Sequence, residues 1–121
     1  MSKQVSLITL GCAKNLVDSE YLITGLKHVG YKINPNVSDS DVAIINTCGF
    51  LDIAREESID KIVEIDELKQ QGVIDKVIVM GCLSERYGDE LQKELPNVDK
   101  FFGSEEHEAV IKYLSGKSFN L

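Results

Sequence analysis

Two short runs, Val42-Ala43-Ile44-Ile45 and Val77-Ile78-Val79-Met80, are apolar at every position, and they constrain the fold more than any other feature of the chain. An amphipathic helix or a half-exposed strand would interrupt such a run with polar residues. A fully apolar stretch of this length, followed by a turn residue and then a helical pattern, reads as a strand buried on both faces. Such strands belong to parallel sheets covered by helices on each side. The first run continues through Asn46-Thr47 into Cys48-Gly49, and the second ends at Gly81-Cys82. A third stretch, Gln4 to Leu10 with Val5, Leu7, Ile8 and Leu10 apolar, ends at Gly11-Cys12 and is followed by a helix-start signal. These are the only three cysteines in the 121 residues. In open α/β sheets ligands bind at the carboxyl ends of the strands, so this pattern predicts three thiols at the binding edge.

The remaining residues continue the alternation. Asn15 is expected to cap the first helix, with Asp18 and Glu20 as acids near its start. Leu22, Ile23, Leu26 and Val29 then recur at helical spacing up to Gly30. Tyr31 to Asn34 is predicted as a second strand, Pro35 to Ser40 as a loop and Asp41 to Asn46 as the third strand. A long helix is predicted from Asp52 to Gln70, with Ile59, Ile62, Ile65 and Leu68 inward, Glu57 paired with Lys61, and Gly72 ending it. Lys76 to Met80 is the fourth strand; a short helix capped by Ser84 uses Leu91 and Leu95 and stops before Pro96. Val98 to Phe102 is the fifth strand, and Ser104 caps a last helix that ends at Gly116. Five strands alternating with helices through right-handed crossovers predict an α/β, flavodoxin-like three-layer sandwich with a parallel sheet in the order 2-1-3-4-5. Residues 1–116 form this domain, and 117–121 are expected to be a stub leading into a longer protein.

A chain of this length, 43% hydrophobic and 27% charged, is expected to form one core. Met1-Ser2-Lys3-Gln4 leads directly into a strand, with no signal-like apolar region, and no run approaches the roughly 18 residues of a membrane span. The expectation is a cytoplasmic protein without a membrane partner. Thirteen Lys and Arg face twenty Asp and Glu, a net charge of -7. That field repels phosphate backbones, so direct nucleic-acid binding is not expected. An odd number of cysteines without an export signal argues against a disulfide framework and leaves metal binding, catalysis or inert burial.

The cysteines are separated by 36 and 34 residues, about one βαβ unit each. In the order 2-1-3-4-5 their strands are neighbours, with the outer two roughly 10 Å apart. Glycine beside each cysteine (Gly11, Gly49, Gly81) lets the backbone turn sharply and approach a bulky group. A zinc site needs four protein ligands if structural or three if catalytic, and the nitrogen candidates, His28 and His107, read as surface residues. An iron-sulfur cluster fits three thiolates better, leaving one iron with an open position. Inert burial is the competing reading, since free cysteine often only packs. A cysteine phosphatase would need an arginine soon after Cys12, a thioredoxin-like pair would need two cysteines two residues apart, and Gly11 alone makes neither a dinucleotide fingerprint nor a P-loop.

Three motifs carry a resemblance. Leu10-Gly11-Cys12-Ala13-Lys14-Asn15-Leu16-Val17-Asp18-Ser19-Glu20, Asn46-Thr47-Cys48-Gly49-Phe50 with Ala54-Arg55-Glu56-Glu57-Ser58-Ile59, and Gly81-Cys82-Leu83-Ser84-Glu85-Arg86-Tyr87 resemble the N-terminal domain of the radical-SAM methylthiotransferases. The resemblance spans essentially the whole chain and is nearest to the branch that modifies an aspartate of a small-subunit ribosomal protein. The branch that modifies tRNA adenosine is the alternative, and a non-enzymatic acidic α/β interaction domain is the reading from another class. The resemblance implies that Cys12, Cys48 and Cys82 ligate an auxiliary [4Fe-4S] cluster whose open iron carries the group to be transferred. It implies as partners a radical-SAM barrel, with a second [4Fe-4S] cluster on a CxxxCxxC motif and S-adenosylmethionine, and a small C-terminal domain. This chain has no CxxxCxxC, so no catalytic residue is expected in it and the isolated domain is expected to be inactive. Asn15, Asn46 and Thr47 are the candidates for a surrounding shell: Asn15 by capping the first helix near the cluster, Asn46 and Thr47 by hydrogen bonds to cluster sulfurs or by stabilising the turn.

Overall fold

The computed structural model describes residues 4–10, 13–47, 52–81, 89–95, 97–103 and 107–115; for 13–18, 52–55, 57–58, 107 and 115 it describes the backbone alone. Five strands, β1 (Gln4–Thr9), β2 (Lys32–Ile33), β3 (Val42–Thr47), β4 (Lys76–Gly81) and β5 (Lys100–Phe101), form one sheet. The sheet order is β2-β1-β3-β4-β5 and every pairing is parallel, as expected from the sequence. The helices are α1 (Ala13–His28), α2 (Asp52–Gln70), α3 (helical at residues 89–94) and α4 (His107–Ser115), with a 3₁₀ turn at Val37–Asp39.

The two apolar runs are explained by where alternate side chains go. In β3, Val42 and Ile44 join one core with Leu22, Leu26, Val110 and Ile111, while Ala43 and Ile45 join a second with Ile62, Ile65, Leu91 and Leu95. In β4, Ile78 and Met80 enter the first core, and Val77 and Val79 the second. Successive strand residues face opposite sides, so a strand covered by α1 and α4 on one side and by α2 and α3 on the other has no position that meets water. Gly25 lets α1 approach α4 closely, because a Cβ there would collide with the Ile111 side chain.

Local details depart from the expectations at the start of α1 and at the two edge strands. Helix α1 begins at Ala13, so Asn15 is a first-turn residue and not the cap, and the first turn holds no acid. The opposite end fits the dipole better, with Lys27 and His28 in the last turn. The edge strands β2 and β5 are two residues each, shorter than the Tyr31 to Asn34 and Val98 to Phe102 expected. Beyond β5, Phe102 N still donates to Val79 O at 2.8 Å. Lys61 pairs with Glu64 at 3.4 Å, while its expected partner Glu57 lies outside the described side chains, as do the caps at Ser84 and Ser104 and the stop at Gly116.

Candidate functional site

Strands β1, β3 and β4 lie side by side and end in near register: Thr9 is opposite Asn46, and Thr47 is opposite Gly81. Along the sequence, Cys12 comes three residues after Thr9, Cys48 directly after Thr47 and Cys82 directly after Gly81. The three cysteines themselves lie outside the described residues. Among the described residues there is no group of three His, Cys, Asp or Glu placed to hold a metal ion. His28 is exposed in the last turn of α1, which runs back from the carboxyl edge, while His107 opens α4 with its side chain undescribed.

Three polar residues of this edge, Ser19, Asn46 and Thr47, are buried, while Thr9 and Leu10 are half-buried. Asn46 is 1% exposed and Thr47 fully buried, and burying a carboxamide or hydroxyl costs about 1–3 kcal/mol unless it is hydrogen-bonded. Asn46 Nδ2 donates to Ser19 Oγ of α1 at 3.1 Å, and the Ser19 and Thr9 hydroxyls share a 2.6 Å hydrogen bond. Leu10 N donates to the Asn46 carbonyl at 2.9 Å, carrying the β1–β3 ladder one rung past the strand. Thr47 Oγ1 donates across to Met80 O at 2.8 Å, which stitches the ends of β3 and β4. Gly81 has φ +106°, and a Cβ on it would fall 2.8 Å from both Asn46 Oδ1 and Thr47 N. Only glycine adopts that backbone readily and lets the two strands close up.

Two of the expected shell residues, Asn46 and Thr47, thus stand at this edge with defined partners, and the side chain of Asn15 is not described. Ser19 is the residue the sequence reading passed over. It is 4% exposed. The signal was its spacing: three residues before Leu22 and seven before Leu26, it extends the buried stripe of α1 toward the helix start. The sharp turn expected of the glycine beside Cys82 is present at Gly81, and the missing Cβ also admits the end of β3.

No helix among the described residues is long and apolar enough to cross a membrane. The chain is 50% identical over 111 residues, 90% of its length, to ribosomal protein uS12 methylthiotransferase RimO of Cytophaga hutchinsonii. It is 47% identical over 120 residues, 98% of its length, to the protein of that name in Bacteroides thetaiotaomicron, and 47% over 114 residues, 94%, to the one in Aquifex aeolicus. These matches cover 25%, 27% and 25% of the relatives, so the chain spans about a quarter of the length of the curated relatives it matches. The names agree with the ribosomal-protein branch of the resemblance. Residues 4–103 match the model of the Uncharacterized protein family UPF0004, and the chain therefore belongs to that family.

Proposed function

We propose that this chain is the auxiliary-cluster domain of a radical-SAM enzyme that transfers a methylthio group to an aspartate of a small-subunit ribosomal protein. Cys12, Cys48 and Cys82 hold a [4Fe-4S] cluster, residues 1–116 form the domain, and 117–121 lead toward the barrel that carries the second [4Fe-4S] cluster and S-adenosylmethionine. The observation that carries the reading is topological: the three strands preceding the cysteines are adjacent, parallel and end together. Thiolates are the usual donors for iron-sulfur clusters, so the donor set suits the group. The names of the relatives favour the ribosomal protein uS12 over tRNA as the substrate.

When bound, the cluster supplies an iron not ligated by protein at which sulfur can be held for transfer. The chain's own part is to place and shield that edge. The stitched ends of β1, β3 and β4 give the loops fixed points of departure, and helices on both faces keep water out of the sheet behind them. Without a CxxxCxxC the chain alone generates no radical, so it is inactive in methylthio transfer by itself.

Iron and sulfide analysis with a visible spectrum after anaerobic reconstitution tests this reading, with Cys48→Ala alongside. About four irons per chain and a sulfur-to-iron charge-transfer band, both lost in the variant, are expected. A colourless, iron-free product from both this chain and the longer protein would sink it.

A further inference from the structure

We propose that Ser19 is a positioning residue for the three thiols: through Asn46 it sets where the ends of β1, β3 and β4 stand relative to one another. The inference rests on the proposed cysteine site, but it is argued from residues that the structure describes. Asn46 meets all three strand ends. Its carbonyl accepts from Leu10 N beyond β1, its Nδ2 donates to Ser19 of α1, and its Oδ1 faces the space that a Cβ on Gly81 would fill.

Cys12 lies in sequence between Leu10 and Ser19, and both of these are tied to Asn46. Cys48 follows Asn46 by two residues, and Cys82 follows Gly81 directly. One carboxamide is therefore the common reference for the three segments that carry sulfur. An apolar residue at this buried position, paired with Met80 across β3 and β4, would avoid the desolvation of a carboxamide altogether. A carboxamide instead confers direction, because its hydrogen bonds hold at one angle and distance. Ser19 fixes the nitrogen end of that carboxamide by accepting from its Nδ2. With Thr9 on one side and Asn46 on the other, its hydroxyl is committed within the fold, so it acts by holding Asn46 and not as a ligand.

The test uses arsenite, which reports three thiols within reach of one atom: three As–S bonds form and three waters leave. The apo chain is titrated with arsenite and its remaining thiols are counted, for the native sequence, Ser19→Ala, Thr9→Val and, as a control near the amino ends of the strands, Asp99→Ala. The native chain is expected to lose all three of its thiols to one arsenic. Ser19→Ala is expected to bind about tenfold more weakly, as when a residue orienting a metal ligand is removed. Thr9→Val, which keeps the Asn46–Ser19 bond, gives a smaller loss. Asp99→Ala lowers stability and leaves arsenite affinity unchanged. After anaerobic reconstitution, iron is expected to pass to a chelator faster from Ser19→Ala than from the native chain.

Native-like arsenite affinity in Ser19→Ala, or in Thr9→Val should Ser19→Ala fail to fold, would overturn the proposal. So would an equal loss in Asp99→Ala, or a native chain whose thiols do not bind one arsenic together. Native arsenite binding weakened in Ser19→Ala, with neither protein taking up iron, would leave the positioning role standing and remove the cluster reading.

Discussion

Gly81 and Thr47 are paired across the ends of β4 and β3 so closely that a Cβ on Gly81 would lie 2.8 Å from the Thr47 nitrogen. The glycine also has φ +106°, a region in which other residues are strained. Gly81→Ala combines backbone strain with a collision against main chain that cannot rotate away. It is expected to destabilise the chain by about 3 kcal/mol, read as a lower urea midpoint at unchanged slope. A loss under about 1 kcal/mol would mean that the two strand ends separate easily.

Asp66 of α2 is 7% exposed; Gln70 Nε2 donates to its Oδ2 at 3.0 Å, but Oδ1 has no hydrogen-bond partner among the described residues. A buried unpaired oxygen costs about 1–3 kcal/mol, whereas the i,i+4 bond returns about 0.5 kcal/mol. Alanine is also the better helix former, by about 0.7 kcal/mol. Asp66→Ala is therefore expected to stabilise the chain by about 1 kcal/mol, visible as a higher thermal midpoint. Destabilisation would show that the carboxylate is held by something of greater value than Gln70.

Asp99 joins β5 to its neighbours by two bonds on one oxygen: Oδ2 accepts from Lys69 Nζ at 2.7 Å and from the Val77 amide at 2.8 Å. Lys69 also donates to Asn97 O at 2.6 Å. Asp99→Ala leaves the Val77 amide without its side-chain acceptor and is expected to cost about 2 kcal/mol. Lys69→Met removes only a partly exposed ion pair and a loop contact, and is expected to cost about 1 kcal/mol or less. Chemical denaturation of both variants checks the order, and the reverse order would place the greater weight on the lysine.

Tyr31 donates its phenolic hydrogen to Leu114 O at 2.7 Å, tying the turn after α1 to the last turn of α4. Burial, and then the nearby Asp41 carboxylate, raise its pKa above the ordinary 10.0. The folded chain thus holds this proton more tightly than the unfolded one. The resulting stability is complete below the unfolded pKa and is lost as pH rises through the folded one. Tyr31→Phe is expected to cost about 1 kcal/mol at neutral pH. Urea unfolding of both proteins at about pH 8 and about pH 11 should show that difference shrinking at the higher pH. A constant difference would show that the hydroxyl does not titrate differently on folding.

The sheet order was legible because the chain repeats one signal. Val42–Ile45 and Val77–Met80 are buried on both faces by the alternation that the sequence displays, and parallel crossovers leave few arrangements for five such strands. The start of α1 was not legible. Asn15 has the residue type of a cap, yet the helix already includes Ala13 two residues before it, and a residue-type preference alone does not fix a helix boundary. Ser19 was passed over because a hydroxyl contributes nothing to an apolar pattern, although it holds an apolar position on the helix face.

By itself, then, the sequence determined the layers, the strand order and the placing of each cysteine within three residues of a strand end, since all of these follow from periodicity and chain connectivity. Only the tertiary structure decided that Asn46 turns its amide to Ser19, that Thr47 reaches Met80 O and that Gly81 admits the backbone of β3. Such contacts join residues 27 and 33 positions apart through bonds a few ångströms long. Their geometry depends on how the packed helices and strands are set against one another, which no local pattern encodes.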